Sequence, residues 1–567
     1  MVEDTSQSLV SQSSYVKCCP TLILFLQGVA DHALSRPPSA ISTFSNLISS
    51  LNSRHASMEP SSRTALTIRT TSKPELYFVG PNSLPTEILM SIFQFVFEAC
   101  IDWNKAGTLC PRHTTAWLED DPLSPSLFPY SLASVCVRWL HVLSSVAVYW
   151  TRQVITVDSH ATSPIAFQSV LRWVGNLSLQ LIVTRHPSNY GETHRDEHAR
   201  IRAVLEIFRP HIHHTWSLTF NVKYSSSLPA LWREQGDAQY LSVLTLMSSH
   251  SETGTVADLP RLPELHPARN GGGCNTSLRP RFLEEVTLGG QFFNDALMLG
   301  EQRNLWFCNI TSLTIRGCST SSGSGISLHK FIITVQNCGL LQKLTVEEIS
   351  FVNDVQSSDR FRLEVPVVSL RRITGGDAFG CIVSQALGVH WKEAITVSNS
   401  PFDGFGKRSS FRGRISSTNL ILDGMNASTA AIRQLVCFWN GESLSLINCP
   451  GVSASFLRGA PTKETPPGLR RLRVVDCENV SAEALVTLVR SRELQSAVDA
   501  LVPGDPDDEP CVALVELRVH GRGPPISPEQ AAWFAQHVEN FSWDTIAGDG
   551  MQYVWDTAAR ELIVHTT

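Results

Sequence analysis

The stretch Leu469-Arg-Arg-Leu472-Arg-Val474-Val-Asp-Cys477 carries the pattern from which the fold of this chain is read. Leu472 and Val474 flank a single residue, so in a strand of period two they share one face. The same apolar-x-apolar spacing recurs along the chain. It is present at Ile155-Thr-Val157, Leu181-Ile-Val183, Leu218-Thr-Phe220, Leu244-Thr-Leu246, Val286-Thr-Leu288, Leu313-Thr-Ile315, Leu344-Thr-Val346, Val368-Ser-Leu370, Ile395-Thr-Val397, Leu420-Ile-Leu422, Leu444-Ser-Leu446 and Leu517-Arg-Val519. From Val286 to Leu472 the steps are 27, 31, 24, 27, 25, 24 and 28 residues. A repeat of that length holds one strand plus one helix or coil. One repeat cannot bury its own apolar face, but stacked neighbours can.

Several runs end on a polar residue or cysteine: Ile315-Arg-Gly-Cys318, Leu446-Ile-Asn-Cys449 and Val474-Val-Asp-Cys477. A preceding apolar residue stands at the same offset in Leu283-x-x-Val286, Ile310-x-x-Leu313, Leu341-x-x-Leu344 and Leu469-x-x-Leu472. With these features the region 151–525 resembles irregular leucine-rich repeats. The resemblance implies an α/β solenoid with parallel strands on its concave face. The closing cysteines are expected to act as small buried hydrophobes. Two steps are long. Leu244 to Val286 holds Gly271-Gly272-Gly273, and Leu472 to Leu517 holds Pro503-Gly-Asp-Pro-Asp-Asp-Glu-Pro510. Both are expected as exposed loops. The aromatic residues of 526–567, among them Trp533, Phe541, Trp543 and Trp555, suggest a C-terminal cap.

A second organised stretch begins Leu84-Pro85-Thr86-Glu87-Ile88-Leu89-Met90-Ser91-Ile92-Phe93-Gln94-Phe95-Val96. Pro85 suits the first position of a helix and Glu87 its first turn. Leu132, Val135, Cys136, Trp139, Leu140 and Leu143 then fall on one helical stripe, and the stretch closes at Tyr149-Trp150. A unit of about 50 residues is marginal as an independent core, so apolar surface left over on it is a docking surface. The stretch resembles the F-box, in particular the F-box-like segments of fungal proteins. The resemblance implies a helical module, 80–150, that docks on the Skp-type adaptor of a cullin–RING ubiquitin ligase. The residues it assigns to adaptor binding are Leu84, Pro85, Ile88, Leu89, Ile92, Phe93, Val135 and Trp139. An insertion at about 98–129 separates the two halves. It is expected to be a surface loop with a small hydrophobic knot of Trp103 and Trp117.

Composition bounds the remaining possibilities. At 567 residues several domains or one long array are expected. A net charge of −6 implies no general attraction to nucleic acid or anionic membrane. Fourteen cysteines are spread without a regular framework, which fits reduced thiols and a cytoplasmic or nuclear setting. The apolar run Thr21–Leu26 is too short to span a bilayer, and its leader lacks a basic region. Residues 1–75 are rich in Ser and Thr and are expected to be mostly disordered.

Catalytic patterns are missing from the sequence. Gly317-Cys-Ser319-Thr-Ser321 does not complete a nucleophile elbow, and there is no zinc-hydrolase motif or dinucleotide fingerprint. Cys100, Cys110 and His113 have no fourth ligand nearby, and His211, His213 and His214 fit a solvated loop. No cofactor or metal is therefore expected. The residues between buried strand positions form an outward row: Thr219, Thr245, Thr287, Thr314, Thr345, Ser369, Thr396, Ile421, Ser445, Arg473 and Arg518. Flanking positions add Arg316, Arg371, Arg471 and His520. Arginines of this kind suit carboxylate or phosphate, which makes the C-terminal end a candidate site for an acidic or phosphorylated segment of a target protein. The combined expectation is a non-catalytic substrate receptor of a ubiquitin ligase. The alternative is a repeat scaffold with no ligase role.

Overall fold

The computed structural model describes residues 84–101, 117, 121–124, 126–158, 161–186, 193–229, 238–250, 282–297, 309–318, 325–354, 363–375, 382, 392–402, 415–458, 466–501, 510–548 and 550–566. The segment 1–75, Trp103, Cys110, His113, the glycine triplet and most of the Pro503–Pro510 run lie outside these residues. The chain divides into two units, Met1–Ile155 with Thr162–Ile182, and Thr156–Ala161 with Val183–Thr567. Its class is α/β, with a mostly parallel sheet.

In the first unit, helix α1 (Thr86–Ala99) buries Leu89, Phe93, Val96 and Phe97, which recur at helical spacing. Pro85 stands just before the helix in an extended conformation (φ −52°, ψ 149°) and not at its first position. The second apolar stripe is not one helix. It forms α2 (Tyr130–Ala133) and α3 (Val137–Ser144), with Cys136 extended between them (φ −163°, ψ 165°). Apolar spacing alone cannot reveal such a break, because the residues on both sides still point inward. Trp139 of α3 meets Phe93 of α1 edge to face at 5.1 Å. A 3-10 turn (Ala147–Trp150) follows, in which the Trp150 indole donates to the Leu143 carbonyl (2.9 Å). Strand β1 (Arg152–Thr156), helix α4 (Pro164–Val174) and strand β2 (Leu179–Thr184) complete the region, with the Trp173 ring of α4 tilted against that of Trp150 at 4.7 Å.

Trp117 corrects the expectation of a separate knot in the insertion. It is buried, and its ring lies 5.8 Å from Phe97 and 6.4 Å from Phe128. With Tyr149, 5.1 Å from Phe97, these rings make one aromatic core.

The second unit begins with α5 (His194–Phe208), whose Thr193 side chain caps the helix. The parallel array then runs β3 (Thr215–Tyr224), β4 (Val243–His250), β5 (Glu285–Gly289), β6 (Ser312–Cys318), β8 (Lys343–Ile349), β10 (Val367–Arg371), β11 (Lys392–Ser398), β12 (Ile415–Asp423), β14 (Ser443–Ile447), β15 (Arg471–Val475) and β16 (Glu516–Arg522). Each pairs in parallel with the next. The short strands β7 (Ile326–Ser327), β9 (Phe351–Val352) and β13 (Trp439–Asn440) lie beside this run. Parallel pairing continues past the expected boundary at 525 into β17 (Asn540–Ile546), because Phe541-Ser-Trp543 supplies the same buried pair. Only then does the sheet turn antiparallel, through β18 (Met551–Asp556) and β19 (Glu561–Thr566).

Register is fixed by burial. Leu218, Leu244, Val286, Leu313, Leu344, Val368, Ile395, Leu420, Leu444, Leu472 and Leu517 are successive cross-strand partners, and all are buried. Each contributes about 1.5–3 kcal/mol by leaving water. A one-residue slip would turn the whole row outward. The returns include α6 (Gly290–Leu297), α7 (Leu328–Gln336), α8 (Thr429–Phe438), α9 (Ala454–Arg458), α10 (Ala482–Leu501) and α11 (Pro528–His537), and α8 to α11 pack in succession. Helix α10 corrects the loop expected between Leu472 and Leu517. Its residues are mostly good helix formers, and Leu485, Leu488 and Val489 anchor one side.

Each strand of the long parallel run from β6 to β16 leaves the sheet in the same way. Gly317, Glu348, Arg372, Asn399, Gly424, Asn448, Asp476 and Gly521 occupy equivalent positions, with φ between 48° and 74°. The N–H of Asn399, Gly424 and Asn448 each donates 2.8 Å to the carbonyl before the next such turn. At six of these turns the residue that follows is buried: Ile349, Ile373, Ser400, Met425, Cys449 and Cys477. The Cys449 thiol donates to the Leu422 carbonyl (3.4 Å) and that of Cys477 to the Leu446 carbonyl (3.6 Å), each one strand back. Burial pushes the Cys449 thiol up to about 11, so both groups are inert packing elements.

Candidate functional site

Two surfaces carry the candidate residues, one in each unit. In the first unit the eight residues expected to bind an adaptor separate into two sets. Leu89 and Phe93 are fully buried and Trp139 is 4% exposed, so these three hold the helices together. Leu84, Ile88, Ile92 and Val135 are half-buried and Pro85 is exposed. Ile88 and Ile92 stand one turn apart, beside the buried stripe of α1. Met90 (40%) and Val137 (82%) are exposed and were not singled out in the sequence. Arg138 donates through Nη2 to the Leu84 carbonyl (2.6 Å), which ties the Leu84-Pro85 entry to α3.

In the second unit the expected outward row from Thr219 to Arg518 is one continuous line of cross-strand partners. The flanking cations fall into two groups. Arg316 and Arg371 both contact Glu347, which lies between them on β8, at 3.0 Å each. Arg471, Arg473, Arg518 and His520 lie together on β15 and β16. Four strand spacings, roughly 19 Å, separate β10 from β15. The structure therefore does not bring the six cationic positions into one site.

Carboxylates temper the C-terminal group. Arg471 meets Glu442 at 3.5 Å and Arg518 meets Glu516 at 2.6 Å. His520 partners Asp544 across β16 and β17. Burial holds its imidazole below the usual range; Asp544 opposes this, and Arg473 and Arg518 add to it. Arg473 is exposed, and among the described residues no carboxylate lies within ion-pair distance of it. Its register partner is Arg518, so two guanidinium-bearing residues stand side by side on neighbouring strands.

Parity also places apolar residues on this outward face. Ile447 and Val475 are register partners on β14 and β15, and Ile421 lies across from Ser445. All three are half-exposed. Beyond the strand ends, Asn448, Pro450, Asp476, Glu478, Asn479 and Arg522 line a cavity of about 490 Å³. Extending period-two parity from Leu446 and Val474 by one residue would have found Ile447 and Val475. The neutralising Glu442 could not be found that way, because it stands before its strand.

The histidine cluster is not a solvated loop. His211, His213 and His214 belong to a 3-10 turn (Arg209–His214), and the His214 ring is buried 4.7 Å from that of His213. Among the described residues no group of three or more His, Cys, Asp or Glu is placed to hold a metal ion. No described helix is long and apolar enough to cross a membrane.

Fold and surfaces together define an α/β protein with a mostly parallel sheet. No protein-family model matches the sequence, and no curated protein matches it.

Proposed function

We propose that this chain is the substrate-recognition subunit of a Skp–cullin–F-box type ubiquitin ligase. On this reading the Leu84–Trp150 region is an F-box-like module that docks on the Skp-type adaptor. The in-register strands are irregular leucine-rich repeats, and their outward face, the concave one of a solenoid, holds a target protein. The role is positional: holding a target near the transferred ubiquitin raises effective concentration without acid–base groups of its own.

One observation carries the reading. The F-box-like residues divide into a buried set that closes the helical unit (Leu89, Phe93, Trp139) and a partly uncovered apolar set (Leu84, Pro85, Ile88, Ile92, Val135). A docking module needs both sets. Arg138, which fastens Leu84 to α3, supports the same division. The interior packing of Leu89, Phe93 and Trp139 also favours a second reading, in which the module only stabilises a repeat scaffold with no ligase role.

Co-expression with a Skp-type adaptor separates the two. The proposal expects the adaptor to co-purify with the full chain. It expects Leu84→Ala combined with Ile88→Asp to reduce recovery at least tenfold while the chain stays folded by circular dichroism. A folded native chain that recovers no adaptor would leave the scaffold reading, and equal recovery with the folded double variant would remove the Leu84–Ile88 face as the docking surface.

A further inference from the structure

We propose that the outward face at β14–β16 seats one extended peptide segment whose side chains run anionic, apolar, cationic at alternate positions. The inference rests on the reading of this face as the target-binding surface and specifies the chemistry of the target.

Three features stand in sequence along the strand direction. Arg473 and Arg518 are register partners, about 4.8 Å apart on adjacent strands. Like charges so placed repel each other, and a carboxylate or phosphate between them would turn that repulsion into two charge-assisted contacts. Arg518 is partly neutralised by Glu516, but Arg473 has no carboxylate partner among the described residues. Two residues further along the strands, roughly 7 Å away, Ile447 and Val475 form a half-exposed apolar pair. Immediately after them the chain turns into the cavity of about 490 Å³ that carries Asp476 and Glu478.

The cavity sets two carboxylates, Asp476 and Glu478, against one guanidinium, that of Arg522. Asp476 accepts the Arg522 backbone N–H through Oδ1 (2.8 Å), which leaves its second carboxylate oxygen. Glu478 is held only loosely by the Arg522 guanidinium, at 3.7 Å, with both side chains mostly exposed. A lysine or arginine entering from a ligand would meet both carboxylates.

Spacing identifies the ligand as an extended peptide. Alternate side chains of an extended chain repeat at about 6.6–6.8 Å, the spacing of Arg473 and Val475 on β15 itself. A polyanion such as nucleic acid would instead meet repulsion from Glu442, Glu516, Asp544, Asp476 and Glu478 around the same face.

Fluorescence polarisation with the full chain tests the proposal. The probe is a labelled peptide with the core Glu-Ala-Leu-Ala-Arg, and a second probe has phosphoserine in place of the glutamate. Binding of either supports the seat, and the tighter of the two identifies carboxylate or phosphate as the anion. Changing the peptide leucine to serine, its arginine to glutamate, or its anion to arginine is expected to weaken binding at least tenfold. Arg473→Glu with Arg518→Glu is expected to reject the original peptide and to prefer the peptide with arginine at the anionic position. That exchange cannot arise from misfolding. Equal binding of all peptides, no binding of any, or no exchange of preference would overturn the inference. Adaptor co-purification is read independently, so a chain that binds the adaptor and none of these peptides keeps the ligase reading and loses this one.

Discussion

Arg492 is 2% exposed, and its guanidinium donates to the carbonyls of Pro466, Pro467, Leu469 and Val512 at 2.8–3.2 Å. Burial pulls its pKa down, and the ring of carbonyls offsets that desolvation. It fastens the segments before β15 and β16 to α10. Arg492→Leu keeps the bulk but strands buried acceptors, and is expected to cost about 3 kcal/mol in urea unfolding. His214 makes the opposite case. It is buried, and among the described residues neither ring nitrogen has a hydrogen-bond partner. Burial first, then the neighbouring His213 and His211, lowers its pKa from 6.5 to about 4. A folded-state pKa below the unfolded one means the fold favours the neutral ring. This stability is present above about pH 6.5 and is lost as pH falls towards 4. Denaturation midpoints at pH 7 and pH 5 should therefore differ more for the native chain than for His214→Phe. Neither role was legible in the sequence. An arginine in a helix and three histidines within four residues look like solvated surface until the surrounding segments are placed.

At the scale of elements, the strands were legible and their surroundings less so. Every apolar-x-apolar triplet from Leu218 to Val519 lies in a strand, and their first members share one register. Period two is visible because the rule is local: one residue in, one out. The extended Cys136 that splits α2 from α3 was hidden, since its neighbours keep their apolar spacing across the break. The carboxylates that temper the arginines were hidden too, because Glu347 and Glu442 act across strands. The repeated left-handed turn gives a direct test. Gly521 has φ 74°, and a Cβ there would overlap the Asp476 carboxylate. Gly339 has open space around it and no such φ. Gly521→Ala is expected to lower stability by about 1–3 kcal/mol, whereas Gly339→Ala should change it by no more than about 0.5 kcal/mol. Equal effects at both positions, measured by urea unfolding, would mean the turn is not what fixes the strand ends.

In the molecule as a whole the two units differ in what they present. The helical unit retains partly uncovered apolar residues at Leu84, Pro85, Ile88 and Ile92, and the sheet unit aligns its outward residues strand by strand. The organisation of both was legible because each rests on short apolar periods. The division of the eight candidate adaptor-binding residues into buried and partly uncovered sets was not, because α1 is apolar around most of its circumference. The most direct test is a binding isotherm between the purified full chain and a purified Skp-type adaptor. The account predicts saturation at one adaptor per chain with a Kd of about 1 μM or tighter, abolished by Leu84→Ala with Ile88→Asp. A native chain that shows no saturable binding at adaptor concentrations a hundredfold higher would contradict it.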